Sequence, residues 1–221
     1  LLAITLARVA MAAEETRQAL PPPVTEPRST EICMNSRISY HGGWSGTATD
    51  QMLGDILHAA ARAPTTGGPC ELYVATAQNV YRYDAAGHAL VLHQAGDERS
   101  DATAAFEIGF AAANSIDAGA AMHLAQLESI ALWTGTSGQL ASCPRGTAAN
   151  HANNYWNPIT PIDIVVSFGM RSVAGFTSTL VAVSSDGSLS NPVTDGSVPL
   201  DDALAGLGND TTFAAQELTP A

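Results

Sequence analysis

The sequence predicts an α+β fold, and three observations predict it. Two segments carry helical periodicity, 49–63 and 114–131; between them lie strand-like runs, among them a hairpin at 79–94; and a further apolar strand follows at 161–169. With 46% apolar residues over 221 positions, the chain can bury a substantial core.

The elements follow in order. In "LLAITLARVAMAAEE" Leu1, Leu2, Ile4, Leu6, Val9 and Met11 fit an amphipathic helix that could bury against a neighbouring subunit. The run is too short for a bilayer, which needs about 20 apolar residues. Its "AMA" resembles the tail of a secretory signal, and a first residue other than Met implies upstream processing, so export is favoured slightly over a cytoplasmic location. "ALPPPVTEPRS" (19–29) is an extended arm, because consecutive prolines fix φ and remove donors. In "TDQMLGDILHAAARAP" Thr49 or Asp50 caps a helix that places Met52, Leu53, Ile56, Leu57 and Ala60 on one face and ends before Pro64. "ELYVATA" (71–77) reads as a strand. In "NVYRYDAAGHALVLHQ" Tyr81 and Tyr83 share a strand face, "DAAGH" supplies the turn and "ALVLHQ" the return. The plain reading of the two tyrosines is core packing.

In the second helix Ile116, Ala120, His123, Leu124, Leu127 and Ile130 or Ala131 recur at helical spacing, and the small residues of "AGAAMHLA" suit close packing, as at a dimer axis. "TGTSG" (134–138) ends it. "NHANNYWNP" (150–158) reads as an irregular loop, and "PIDIVVSFG" as a hydrophobic strand. "STLVAVS" (178–184) could add to a sheet edge, and 185–221 form an acidic arm.

Composition excludes several functions. All nine basic residues are arginine, against 21 acidic residues, so the formal charge of −12 argues against a nucleic-acid or anionic-membrane partner. Without lysine there is no Schiff base and no phosphate-loop lysine. Cys33, Cys70 and Cys143 form no C-x-x-C pair, which leaves a Cys33–Cys143-type bridge open, and the six histidines lack metal-ligand spacing, so no metal site is expected.

Read together, "LPPP", "RISYH" (37–41), "APTTGG" (63–68), "VYRYDAAGHAL" (80–90), "GDERSD" (96–101), "TGTSG" and "VVSFGMR" (165–171) stand in an order that resembles the nitroreductase superfamily of FMN-dependent flavoproteins, most closely its SagB-type dehydrogenase branch. The resemblance covers about residues 19–171 and implies a mixed sheet with helices on its faces, carried between N- and C-terminal arms (1–30 and 173–221, around a core of 31–172). It also implies an intertwined homodimer, or a larger homo-oligomer held through the arms, with two equivalent sites. By the same resemblance Arg37, Ser39, His41 and Arg171 face the FMN phosphate or ribityl chain. Pro64, Thr65, Thr66 and Gly67 border the ring, with Gly135, Thr136 and Gly138 offering backbone donors beside it. No side chain is required as acid or base, since the flavin carries the hydride, to or from a nicotinamide or a small azoline-like molecule.

Two departures lead to a second expectation. Ile38 replaces an arginine of the family motif, and residues 102–117 stand where the family carries a further strand and helix, so a sheet strand is expected to be missing. A flavin-free structural or assembly protein, exported and polymeric on a degenerate nitroreductase-like fold, is the alternative reading.

Overall fold

Polar side chains start each of the long helices. Thr49 Oγ1 accepts from Met52 N (3.2 Å) and Asn114 Oδ1 from Asp117 N (2.9 Å), satisfying donors that the first turn leaves open. The computed structural model describes residues 16–24, 28–37, 39–40, 44, 47–132 and 140–171, with the backbone of 179–180 and 193–194. The elements are β1 (Arg17–Ala19), α1 (Thr30–Ser36), α2 (Asp50–Ala61), β2 (Glu71–Ala75), β3 (Asn79–Asp84), β4 (Ala89–Ala95), β5 (Phe106–Ala111), α3 (Ser115–Ala131), β6 (Leu140–Arg145), α4 (Ala148–Tyr155), β7 (Ile164–Met170), β8 (Thr179–Leu180) and β9 (Val193–Thr194). Seven strands form one sheet in the order β1-β4-β3-β2-β5-β7-β6. Every ladder in it is antiparallel.

One face of the sheet packs on α2 and α3, where Leu53, Ile56, Leu57, Ala118, Ala121 and Ala125 meet Leu72, Ile108, Phe110, Val166 and Phe168. The opposite face packs on α4 through Ala148, Ala152 and Trp156, against Tyr73, Val80, Ile162 and Val165. α1 lies on α3 by way of Cys33 and Ile130. Cys33, Cys70 and Cys143 are all free thiols, so the Cys33–Cys143 bridge does not form. Among the described residues no helix is long and apolar enough to cross a membrane.

The hairpin holds as expected. Tyr83 is buried in the first core and Tyr81 packs half-buried against it, the shared face that their spacing of two gives. Leu20 joins the same core, and the extended arm before it is the edge strand β1, paired with β4. His88, at φ 45°, bridges hairpin and arm: Nδ1 lies 2.7 Å from Tyr83 Oη and Nε2 2.7 Å from the Pro21 carbonyl. The imidazole therefore donates to Pro21 and accepts from the tyrosine hydroxyl. Tyr83→Ala is expected to cost about 3 kcal/mol, the low end of aromatic deletions in a core, and Tyr83→Phe about 1 kcal/mol for the hydroxyl alone. Urea unfolding of both variants checks the split.

Three expectations are corrected. No strand is missing: Phe106–Ala111 is the buried strand β5 between β2 and β7. Phe106, Ile108 and Phe110 face the α2–α3 side and alternate with Glu107, Gly109 and Ala111, although the whole strand is buried. Residues 150–158 are not an irregular loop, because 150–155 belong to α4, where Ala148, Ala152 and Trp156 recur every four residues beneath an asparagine-rich exterior. α3 does not turn Ile116 and His123 inward; Ile116 is 80% exposed, and Asp117, Ala118, Ala121 and Ala125 form the buried stripe. Small side chains let this helix lie close on the sheet, so its inner face is not its most hydrophobic one.

"GDERSD" is a structural lock. The Glu98 carbonyl accepts from Trp156 Nε1 (2.6 Å) and lies 3.0 Å from His151 Nε2, while Arg99 pairs with Asp97 (2.7 Å). β8 and β9 pair with each other; the rest of the 178–184 strand, the helix expected at 1–15 and the acidic arm lie outside the described residues.

Candidate functional site

Beyond β6 the sheet gains a short irregular edge. Ser39 forms a parallel bridge to Ser142, and Tyr40 N donates to the Ser142 carbonyl (2.9 Å). Trp44 bridges antiparallel to Arg171, the residue that follows β7. The Arg171 guanidinium sits 5.8 Å from the centroid of the Tyr40 ring, within cation–π range, and the Tyr40 and Trp44 rings meet edge to face at 5.3 Å. Gly169 makes this possible, because a Cβ there would lie 2.6 Å from the indole. Trp44 Nε1 donates to Asp101 Oδ2 (3.1 Å), and Asp101 pairs with Arg145. Burial raises the Asp101 pKa, but the hydrogen bonds from Thr103 and Trp44 and the charge of Arg145 outweigh it and hold the carboxyl below its usual range.

Arg37 follows α1 as its C-cap, in extended conformation and half-buried. It stands two residues before Ser39 and so within about 7 Å of it along the chain. Ser39, with Arg37 two residues before it, thus lies beside β6, and Arg171 stands at the end of the neighbouring strand β7. His41 lies outside the described residues, as do Gly135, Thr136 and Gly138.

The loop carrying Pro64, Thr65, Thr66 and Gly67 is elsewhere. It docks on the N-terminus of α3, where the Asp117 carboxylate accepts from Thr66 N (2.9 Å), Thr66 Oγ1 (3.1 Å), Gly67 N (2.7 Å) and Asn114 Nδ2 (3.0 Å). Ser115, beside it, donates to Asp163 at the start of β7 (3.2 Å). From Asp163 to Arg171 the chain runs eight residues in extended form, so roughly 26 Å separate the two ends at about 3.3 Å per residue. A single copy of the chain therefore does not bring the two groups of expected site residues together. Pro64 is exposed and Thr65 half-buried, while the Thr66 and Gly67 donors are committed to Asp117. Nearby, burial pushes the Cys70 thiol up to about 12, which leaves it protonated and unreactive at neutral pH.

Asp117 was not singled out by sequence, although Asn114 and Asp117 stand at the spacing of a capping box. Hydrogen bonds from the Thr66 and Gly67 amides hold its carboxyl below the usual range. A depressed folded-state pKa stabilises the fold above the unfolded value of about 3.9 and ceases to do so as pH falls through the folded one. The melting temperature of wild type should therefore exceed that of Asp117→Asn at pH 7, and the gap should narrow below about pH 4. Thermal melts of both proteins from pH 7 to pH 2.5 measure it.

A groove of about 560 Å³ opens between the arm, α1, α2 and α3, with Val24, Cys33, His58, Arg62, Leu124 and Leu127 among its lining. None of the described residues expected for a flavin is among its lining. Arg62 Nη1 lies 3.4 Å from His58 Nε2, and desolvation, followed by the charges of Arg62 and His88, lowers the His58 pKa.

No protein-family profile matches the chain, and no curated protein is detectably similar to it in sequence. Solved structures are. A Ralstonia eutropha protein assigned as a nitroreductase superposes with a TM-score of 0.56 at 22% identity, over 71% of this chain and 90% of that one. An Anabaena variabilis protein with the same assignment gives 0.55 at 15% identity, over 65% of this chain and 38% of that one. The fold is nitroreductase-like. A Desulfovibrio desulfuricans protein so assigned, solved in complex with FMN, is more distant, at a TM-score of 0.46 and 17% identity over 81% of this chain and 96% of that one. Identities this low establish the fold and no finer property.

Proposed function

We propose that this chain is an FMN-dependent oxidoreductase of the nitroreductase kind, and that its flavin site is completed by a second copy. The observation that supports the reading is that Ser39 and Arg171 stand on the β6–β7 side of a nitroreductase-like sheet, joined by the segment that carries Tyr40 and Trp44, with Arg37 two residues before Ser39. Two guanidinium groups and a hydroxyl are the donor chemistry that a phosphate monoester calls for. The Tyr40 and Trp44 rings lie behind Arg171 and hold its guanidinium, which leaves the donors to meet the charged end of a ligand.

Bound there, FMN supplies hydride exchange at its N5 between a reduced nicotinamide and a small organic molecule. The residues of the chain bind and orient. Arg37 and Arg171 would neutralise the phosphate, and Ser39 would donate to it or to the ribityl chain. Because the 64–67 loop lies roughly 26 Å away, the ring-bordering role that the resemblance gives it belongs to the loop of a second copy in a two-fold dimer. Within the superfamily the order of motifs favours the SagB-type branch, with an azoline-like substrate. An extracytoplasmic location is part of the same proposal.

The test is a visible spectrum of the purified protein followed by FMN titration. Flavin bands, or binding of added FMN, are expected, and Arg37→Ala and Arg171→Ala should each raise the dissociation constant at least about tenfold, the scale of a lost charge-assisted hydrogen bond. A wild-type protein that neither carries nor takes up FMN overturns the reading. That result would favour the flavin-free assembly protein, for which the commitment of the Thr66 and Gly67 donors to Asp117 is the supporting observation.

A further inference from the structure

We propose that Asp101, Trp44 and Tyr40 are positioning residues for Arg171, a line of three contacts that gives this chain its selectivity for a phosphorylated flavin. This rests on the reading of Arg171 as a phosphate ligand. An arginine at the end of a strand has four rotatable side-chain bonds, and fixing them for an anion costs conformational entropy unless neighbouring groups have fixed them already. Here the neighbours do so. The planar cation lies over the Tyr40 ring. The Tyr40 backbone is tied to Ser142, and its ring is met edge-on by Trp44. Trp44 lies on Gly169 and bridges to the backbone of Arg171 itself, and its indole N–H is held by Asp101. Asp101 is anchored in turn by Arg145 and by its own N–H to Glu107 Oε1 (3.3 Å). Each link leads back to the sheet, so the guanidinium is set before any ligand arrives.

FMN and riboflavin share one ring system and differ by the phosphate, which makes their ratio the readout. Dissociation constants for both are measured on the full chain by quenching of flavin fluorescence. Trp44→Phe removes the indole N–H and keeps a ring. It should weaken FMN binding by roughly three- to tenfold, the net worth of one hydrogen bond, and leave riboflavin within about twofold. Tyr40→Leu, which removes the π-face, should behave in the same way, and Tyr40→Phe, which keeps it, should lose less FMN affinity than Tyr40→Leu. Asp101→Asn retains an oxygen for the indole and loses the charge paired with Arg145, so a smaller fall in FMN affinity is expected. Wild-type riboflavin binding shows that each variant is folded.

Equal weakening of both flavins in Trp44→Phe and Tyr40→Leu would mean that these residues support the edge as a whole, which overturns the proposal. Unchanged FMN affinity in both overturns it too. A wild-type protein that binds FMN no better than riboflavin refutes the phosphate role of Arg171 itself, and the positioning proposal falls with it.

Discussion

Trp156→Ala is expected to destabilise the fold by about 4 kcal/mol and to lower the melting temperature by roughly 10 °C. Trp156 is 0% exposed and is among the largest fully buried side chains. Its ring fills the space that Gly109 leaves in the central strand: a Cβ at Gly109 would lie 2.9 Å from the indole and 2.8 Å from Ile162. Deleting the indole opens a cavity that Gly109 cannot fill. It also leaves the Glu98 carbonyl without its 2.6 Å donor, which loosens the 96–101 lock. Trp156→Phe keeps most of the volume and loses the N–H, so it should cost less than half as much. Denaturant unfolding of the two variants separates packing from hydrogen bonding. A Trp156→Ala protein as stable as wild type would mean that α4 does not hold the second face of the sheet.

The same residue shows where the sequence was legible. α2 and the hairpin announced themselves locally, by Thr49 at an N-cap and by alternation around a turn, and both stand where expected. α4 did not, because four of its eight residues are Asn or His and only Ala148, Ala152 and the following Trp156 carry its inner face. β5 did carry a period-two signal, Phe106, Ile108 and Phe110 around Glu107 and Gly109; what no local pattern shows is that all six of its residues, Glu107 included, are buried. In α3 a buried stripe of alanines carries less hydrophobicity than the exposed Ile116, and tertiary packing decides the orientation.

The candidate site divides in the same way. Arg37, Ser39 and Arg171 were found through the order of motifs, which carries information across 135 residues that no local pattern holds. Trp44 and Asp101 had no such mark. Their meeting depends on the bridge of residue 44 to the end of β7 and on Gly169 making room, and neither can be read from spacing. Asp117 is an intermediate case. Its capping spacing with Asn114 was visible, but its reach to the 66–67 loop, about 50 residues earlier, was not.

Glu107→Ala should cost about 4 kcal/mol, comparable with the loss of Trp156 though the side chain is smaller, because what it leaves behind is polar. The carboxylate is fully buried in β5 and accepts from Ser100 N (2.7 Å), Ser100 Oγ (2.7 Å), Asp101 N (3.3 Å) and Ser167 Oγ (2.6 Å). An ionised carboxylate accepts only, so the four donors around it are a matched set. Alanine removes every acceptor at once, leaving Ser167 Oγ without it in the interior and the Ser100 and Asp101 donors without it at the margin. Glu107→Gln keeps the shape but turns one acceptor into an NH₂ group facing donors, and is expected to cost about 2–3 kcal/mol. The pair Glu107→Gln and Ser167→Ala gives a check on mechanism, since Ser167 donates to Glu107 and accepts from Arg145 Nε (3.2 Å). A double-mutant cycle between the two should show coupling of at least about 1 kcal/mol, as expected for residues that share a hydrogen-bond network. Additive losses would mean that the four contacts act independently. In that case Glu107 could not transmit order to Asp101, and the edge that carries Trp44 and Arg171 would have to be held from the α1 side alone.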